Sequence, residues 1–133
     1  MNKRLLNITS YLGYFFVGIV TVILSPSLPF MIRDFNITLA AAGAAFTSRS
    51  AGSFFGVLLG GFLSDKLGRK PLIIIGALVQ GIALAVIGST GSWYMVLLFF
   101  IINGIASGFF NASVNTLVAE INIERRGAAM NVL

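Results

Sequence analysis

The chain has 133 residues, of which 57% are hydrophobic and only 10% are charged, and its mean hydropathy is +0.96. This composition cannot supply the polar surface of a soluble domain, so it favours a membrane protein. The sequence has no cysteine and no histidine, which excludes disulfides and Cys/His metal sites, and we expect no metal or cofactor.

The first apolar run predicts helix 1 over residues 6–30, with Pro26 and Pro29 at its far end, where a helix can loosen or stop. The run is too long for the apolar part of a cleaved signal peptide. Thr38 is the expected N-cap of helix 2, which is predicted over residues 38–63. About 20 apolar residues cross a bilayer, so both runs are predicted spans.

Two further spans follow, helix 3 over residues 71–88 and helix 4 over residues 93–120, and Pro71 suits the first turn of helix 3. A fifth helix is expected to begin near residue 128, with too few residues to cross a bilayer, so we expect the chain to be part of a longer protein. The predicted fold class is an all-α membrane protein with four transmembrane helices and the start of a fifth. The links between the four helices are predicted over residues 33–36, 64–70 and 89–92.

The basic residues predict the orientation of these spans. Seven lysines and arginines fall beside one membrane face, whereas only Arg33 falls beside the other. The positive-inside rule then places the N-terminus in the cytoplasm. We expect the chain to lie in the plasma (inner) membrane. The same placement accounts for the net charge of +5, so we expect the lipid bilayer as a partner and no nucleic acid. The seven are Lys3, Arg4, Lys66, Arg69, Lys70, Arg125 and Arg126.

The link between helices 2 and 3 combines glycines, an acid and basic residues. Gly61 would let another helix approach closely, and Gly68 suits a tight turn. Asp65 lies near the start of helix 3, where the helix dipole favours an anion, and Arg69 can bind a carboxylate through two hydrogen bonds. Such a cluster can hold two rigid bundles together on one face and act as a gate. Its members are Gly61, Asp65, Lys66, Gly68, Arg69 and Lys70.

This segment, residues 61–70, resembles the cytoplasmic signature of the major facilitator superfamily, in the same place between helices 2 and 3. The resemblance implies part of the N-terminal six-helix half of a secondary transporter, which binds its solute near the midplane. It also implies that Asp65 and Arg69 stabilise the outward-facing state. Glu120, at the end of helix 4, is the expected partner of Arg69, and a solvated surface position is the alternative.

Arg49 lies inside predicted helix 2, roughly 21 Å of helix rise from its cytoplasmic end. An arginine at this depth is costly unless it faces a cavity or a partner. The predicted helices supply no central acid, so Arg49 would bind an anionic or hydroxyl-rich solute or a partner elsewhere in the protein. Snorkelling to the membrane surface and a purely structural pair are the alternatives.

Five other polar residues within the spans are candidates for the substrate pathway. Their side chains can hydrogen-bond sugars and other polyols, although hydrogen bonds between helices would account for them equally well. The five are Tyr14, Gln80, Asn103, Ser107 and Asn111.

Helix 2 also has a stripe of small residues at four-residue spacing, which we interpret as a packing surface. Arg49 is offset from this stripe by about 100°, so it could face a cavity while the stripe packs. The stripe consists of Ala44, Ser48, Gly52, Gly56 and Gly60.

Residues 111–120 and 126–131 resemble, more weakly, the fucose-permease-like sugar subgroup of the same superfamily. Sugar–proton symporters of that kind have membrane-buried acids on helices 1 and 4. Helix 1 has none here, and the matching position on helix 4 is Ser107, which argues against proton coupling through this half.

The expected function is transport of a small solute, a sugar or an organic anion, with a proton or another ion as the candidate coupling partner. A small oligomeric membrane assembly protein without transport of its own is the alternative. The sequence has no recognisable nucleophile–base pair or metal cluster, so we expect no enzyme activity.

Overall fold

The computed structural model describes residues 3–121, which form four antiparallel α-helices joined by short turns. The helices are α1 (Lys3–Phe35), α2 (Leu39–Leu67), α3 (Arg69–Ser89) and α4 (Trp93–Ile121). The fold is therefore all-α, as the sequence predicts. The expected fifth helix near residue 128 lies outside the described residues.

Helix α1 is longer than the sequence predicts, because it continues through both prolines to Phe35. Each proline removes only one backbone donor, and the hydroxyl of Ser27 donates to the carbonyl of Ile23 at 2.9 Å within this stretch. The helix ends at Asn36, which has a φ of 49°, a conformation that asparagine tolerates better than most residues. The predicted link over residues 33–36 is thus mostly helical.

The caps around α2 explain why the next links are so short. The hydroxyl of Thr38 accepts from the amide of Ala41 at 3.2 Å, which confirms the predicted N-cap. At the other end, α2 extends to Leu67, and Gly68 alone separates it from α3. Gly68 has a φ of 88°, so the predicted tight turn is confirmed, whereas the predicted seven-residue loop is reduced to one residue.

Helix α4 is the centre of the bundle and packs mainly against α2 and α3. One apolar cluster surrounds Phe100 at the end of the bundle that contains Trp93, which we call the Trp93 end. The other surrounds Phe110 and Val114 toward the opposite end, the Arg69 end. Helix α1 makes fewer contacts with α4, and one of them is the ring of Tyr14, which packs on Phe110 with ring centroids 5.9 Å apart.

The glycines of α2 let its backbone meet that of α4. A β-carbon built on Gly52 would lie 2.5 Å from the carbonyl oxygen of Ile101, and one on Gly60 would lie 3.1 Å from Cα of Phe109. The predicted stripe is correct for Gly52, Gly56 and Gly60. It is wrong for Ala44, which is exposed, while Ala42 and Ala45 are buried in its place. The reason is that each four-residue step turns about 40° away from a straight line along the helix.

Three of the four helices are long and apolar enough to cross a bilayer: Asn7–Phe35, Arg69–Ser89 and Trp93–Glu120. Helix α2 has 29 residues, as many as α4, but its Ser, Thr and Gly residues and Arg49 make it less apolar. Many large apolar side chains of the bundle point outward, including Phe15, Phe16 and Phe54. Lipid or further protein must therefore cover these faces, and the chain is an integral membrane protein.

Among the described residues, basic residues concentrate at the Arg69 end. Lys3, Arg4, Lys66, Arg69 and Lys70 all belong to that end, and only Arg33 belongs to the Trp93 end. At the Trp93 end, the rings of Trp93 and Phe35 pack 5.6 Å apart, and Tyr94 is 83% exposed. The two ends of the described bundle therefore differ in charge, as the sequence predicts.

Candidate functional site

Arg49 lies against α4, where its side chain finds a polar partner. Its Nε donates a hydrogen bond of 3.0 Å to Oδ1 of Asn103. The approach is possible because Gly104 follows Asn103: a β-carbon at position 104 would overlap the carbonyl oxygen of Arg49. The glycine-mediated contact between α2 and α4 thus positions the bond.

Asn103 joins three helices through its amide group. Its side chain is only 1% exposed, and its Nδ2 donates to the backbone carbonyl of Gln80 on α3 at 3.4 Å. With Oδ1 accepting from Arg49 and Nδ2 donating to Gln80, the amide uses both ends and has a defined orientation. Arg49 on α2 is therefore linked to α3 through one buried residue of α4.

A shallow hollow of about 410 Å³ on the surface of α2 is lined in part by Arg49. Ser53 follows Arg49 by one helical turn and lines the same hollow, although it was not among the predicted pathway residues. Ser53 could have been predicted from the sequence, because a residue four positions after Arg49 lies on the same face of the helix. The acids of residues 3–121 are Asp34, Asp65 and Glu120, and none of them lines this hollow. The lining residues are Arg49, Ser50, Ser53, Phe54, Val57 and Leu58.

A second polar cluster connects α1 to α4 closer to the Arg69 end. The hydroxyl of Tyr14 donates to Oδ1 of Asn115 at 2.8 Å and lies 3.5 Å from the carbonyl oxygen of Asn111. The side chain of Asn111 makes a long contact of 3.5 Å with the hydroxyl of Ser107. Asn115 lies one turn after Asn111 on the same face, but it was not among the predicted pathway residues.

The six predicted pathway residues therefore form two groups rather than one. Arg49 and Asn103 make the first, and Tyr14, Ser107 and Asn111 belong to the second. Gln80 contributes only its backbone carbonyl to the first group. Its buried side chain instead lines a separate cavity of about 310 Å³ between α1, α3 and α4, and its Nε2 has no partner among residues 3–121.

An ion pair links the charged segment at the α2–α3 turn to α4. Arg69 pairs with Glu120, so the contact expected from the sequence is present, with the two side chains 23% and 50% exposed. Nε of Arg69 is buried and has no partner within the described part of the chain. Lys66 lies over the ring of Phe62, with Nζ 4.6 Å from the ring centroid. The ion pair ties the start of α3 to the end of α4.

Two members of this segment face away from the described bundle. Asp65 is exposed and forms no ion pair with any residue between 3 and 121. Gly61 has open space around the position of a β-carbon, so the expected close helix approach is not made within the described part, where its neighbour Gly60 contacts α4 instead. Both positions are therefore free to meet another part of the protein.

Comparisons with known proteins agree on one family. The family model described as Major Facilitator Superfamily matches residues 10–133. Three bacterial relatives carry the names "Uncharacterized MFS-type transporter YfkL" and "Putative metabolite transport protein YfiG", both of Bacillus subtilis, and "Quinolone resistance protein NorA", of Staphylococcus aureus. No solved structure matches the chain.

The relatives are similar over nearly the whole chain. YfkL is 28% identical over 92% of this chain, YfiG 33% over 93%, and NorA 27% over 92%. The matched parts are 31%, 26% and 31% of those proteins, so the chain spans about a third or less of their length.

Proposed function

The chain belongs to the major facilitator superfamily, and we propose that the protein containing it moves a small organic solute across the membrane by alternating access. Residues 1–133 are part of the N-terminal six-helix half, and the solute binds near the midplane between two such halves. The proposal agrees with the relatives' names, one of which refers to metabolite transport and another to quinolone resistance. Those names differ in solute, so a sugar and an organic anion are both candidates.

The observation that carries this proposal is the bond between Arg49 and Asn103. Arg49 lies well inside α2, and α4 beside it is an apolar span. A charged side chain at such a depth faces protein or a water-filled cavity rather than lipid, because burying its charge in hydrocarbon is costly. The hollow beside Arg49 is a place where a solute can meet this charge. We propose Arg49, Asn103 and the second cluster of Tyr14, Ser107 and Asn111 as the solute pathway, with Gln80 adjacent to it.

We also propose that the α2–α3 turn is a cytoplasmic gate. The pair of Arg69 and Glu120 links the Arg69 ends of α3 and α4. Asp65 lies in the last turn of α2 and is exposed, so it can contact the other half when the cytoplasmic side closes. In this arrangement the N-terminus is cytoplasmic, and a proton or another ion drives transport through groups elsewhere in the protein.

Transport assays on the full-length protein test this function. Labelled sugars, organic anions and drugs would be offered to proteoliposomes with and without a proton gradient. We expect saturable movement of one solute class, and its loss in Arg49→Gln at an unchanged membrane level. Thr47→Ala is the matched control, because the hydroxyl of Thr47 bonds only to its own helix at Gly43, 3.1 Å away. Normal transport by Arg49→Gln would contradict the assignment of Arg49 to the solute pathway. A failure of the unmodified protein to move any solute would contradict the transport proposal.

A further inference from the structure

The hydrogen bond to Asn103 determines which part of the Arg49 guanidinium remains available. Nε is occupied by Oδ1 of Asn103, and Arg49 makes no other side-chain bond to residues 3–121. The free edge of the guanidinium consists of its two terminal nitrogens, which are coplanar and spaced to match the two oxygens of a carboxylate or phosphate. Asn103 therefore orients Arg49 without neutralising it.

The surroundings of the free edge favour a negatively charged group. None of the three acids of residues 3–121 lines the hollow, so no acid of the described chain compensates the charge of Arg49 there. Ser53 adds a hydroxyl one turn away, and a hydroxyl can donate to an anion. A neutral polyol could hydrogen-bond both groups, but it would leave a bare positive charge at membrane depth, whereas an oxyanion would neutralise that charge.

The partners of Asn103 make it suitable as a positioning residue. It is almost completely buried, and its second bond holds it to the carbonyl of Gln80 on another helix. Because both ends of the Asn103 amide are bonded, its orientation is fixed, and it holds Nε of Arg49 in one direction. Arg49 is therefore oriented before the solute arrives, and little conformational freedom is lost when the solute binds.

We propose that the solute carries a carboxylate or another oxyanion that binds the free edge of Arg49, and that Asn103 is the residue that positions this edge. The inference rests on the proposed transport function and narrows its solute from a sugar or an organic anion to the anion. Arg49 touches the solute, whereas Asn103 acts through Arg49.

Matched solute pairs test the charge of the solute in the full-length protein. Gluconate with glucose, lactate with lactamide and benzoate with benzamide differ mainly in the anionic group. Competition with the transported solute and thermal stabilisation of the purified protein would be measured for each member. We expect one or more anions to compete and stabilise, and their neutral partners not to do so. Arg49→Gln should abolish the anion effect, and Arg49→Lys should weaken it about tenfold, because lysine keeps the charge but loses the bidentate edge.

Variants of Asn103 separate positioning from structural support. Asn103→Ala should raise the KM for the anion about tenfold with little change in kcat, the equivalent of one hydrogen bond to a charged group. Asn103→Asp has nearly the same shape but places a carboxylate against Nε of Arg49. Because this carboxylate neutralises the charge of Arg49, the variant should lose its preference for anions even where the protein remains folded. If Asn103 only supported the fold, its variants would yield less folded protein. The folded fraction would then keep the KM and the anion preference of the unmodified protein.

The possible failures are distinguishable. Transport of neutral members alone, or anion effects that persist in Arg49→Gln, would overturn the oxyanion inference and leave transport standing. The oxyanion inference would also fail if no anion competed with or stabilised a protein that transports another solute. An absence of saturable movement for every solute would contradict the transport function itself.

Discussion

Gly104 lies directly against the backbone carbonyl of Arg49, so that α2 and α4 touch where the charged side chain leaves its helix. Along the interface, glycines of each helix meet backbone carbonyls of the other. A β-carbon on Gly108 would lie 2.5 Å from the carbonyl oxygen of Ser53, and one on Gly52 equally close to that of Ile101. Packing and polar chemistry are therefore coupled at this point, because the distance between the backbones determines whether Arg49 reaches Asn103.

Replacing Gly104 by alanine should separate α2 from α4. The added methyl group meets backbone rather than a flexible side chain, so we expect a loss of about 1–3 kcal/mol in stability, together with impaired transport. Thermal unfolding in detergent and transport in proteoliposomes would measure the two effects. Gly43→Ala is the control, because that position of α2 has open space and alanine favours a helix. Equal stability of the two variants would contradict the close contact.

Removing the hydroxyl of Tyr14 should loosen α1. Tyr14→Phe keeps the ring contact with Phe110 and loses only the bond to Asn115, so we expect a cost of about 0.5–1.5 kcal/mol. The unfolding temperature of the purified protein would report this change. Tyr11→Phe is the matched control one turn earlier, since its hydroxyl makes no bond to the described residues. A larger loss in Tyr11→Phe would show that the contact with Asn115 does not hold α1.

The exposed carboxylate of Asp65 should matter for cycling rather than for solute binding. Asp65→Asn is expected to lower the transport turnover and leave the dissociation constant of the solute nearly unchanged, because Asp65 lies at the α2–α3 turn, far along α2 from Arg49. Steady-state transport and equilibrium binding on the same preparation would separate the two. Asp34→Asn changes an exposed acid at the opposite end and serves as the control. Unchanged turnover in Asp65→Asn would argue against the gate.

The pair of Arg69 and Glu120 should be weakly coupled in stability. Both side chains keep some exposure, so a double-mutant cycle with Arg69→Gln and Glu120→Gln should give a coupling of about 0.2–1 kcal/mol. Because salt screens exposed charges, the coupling should fall when the cycle is repeated at about 1 M salt. Additive effects at low salt would mean that the pair does not stabilise the turn.

Much of the local structure could be predicted from a few consecutive residues. The hydroxyl of Thr38 can cap only the helix that follows it, and Gly68 is suited to its φ of 88° because it has no β-carbon. The ends of α1 and α2 were harder to predict, because prolines and charges are tolerated in the last turns of a helix whose other residues pack well. The predicted loop before Pro71 became helix for this reason.

The site was predicted only in part. Arg49 and Asn103 were both chosen for their polarity within a span, but they lie 54 residues apart, and no local signal says that one bonds to the other. Gln80 was chosen for the same reason, yet its side chain faces a different cavity. Polarity indicates that a residue needs a partner, whereas the facing helix decides which partner it meets.

The sequence alone determined that this is a helical membrane protein with a charged turn at residues 61–70, because hydropathy, capping and turn chemistry act over a few residues. Tertiary structure alone decided that Gly60 rather than Gly61 contacts α4, that Tyr14 bonds to Asn115, and that Asn103 holds Arg49. The physical reason is that the rotation and register of one helix against another depend on the fit of whole faces. A shift of one residue turns a helix by about 100° and exchanges every partner.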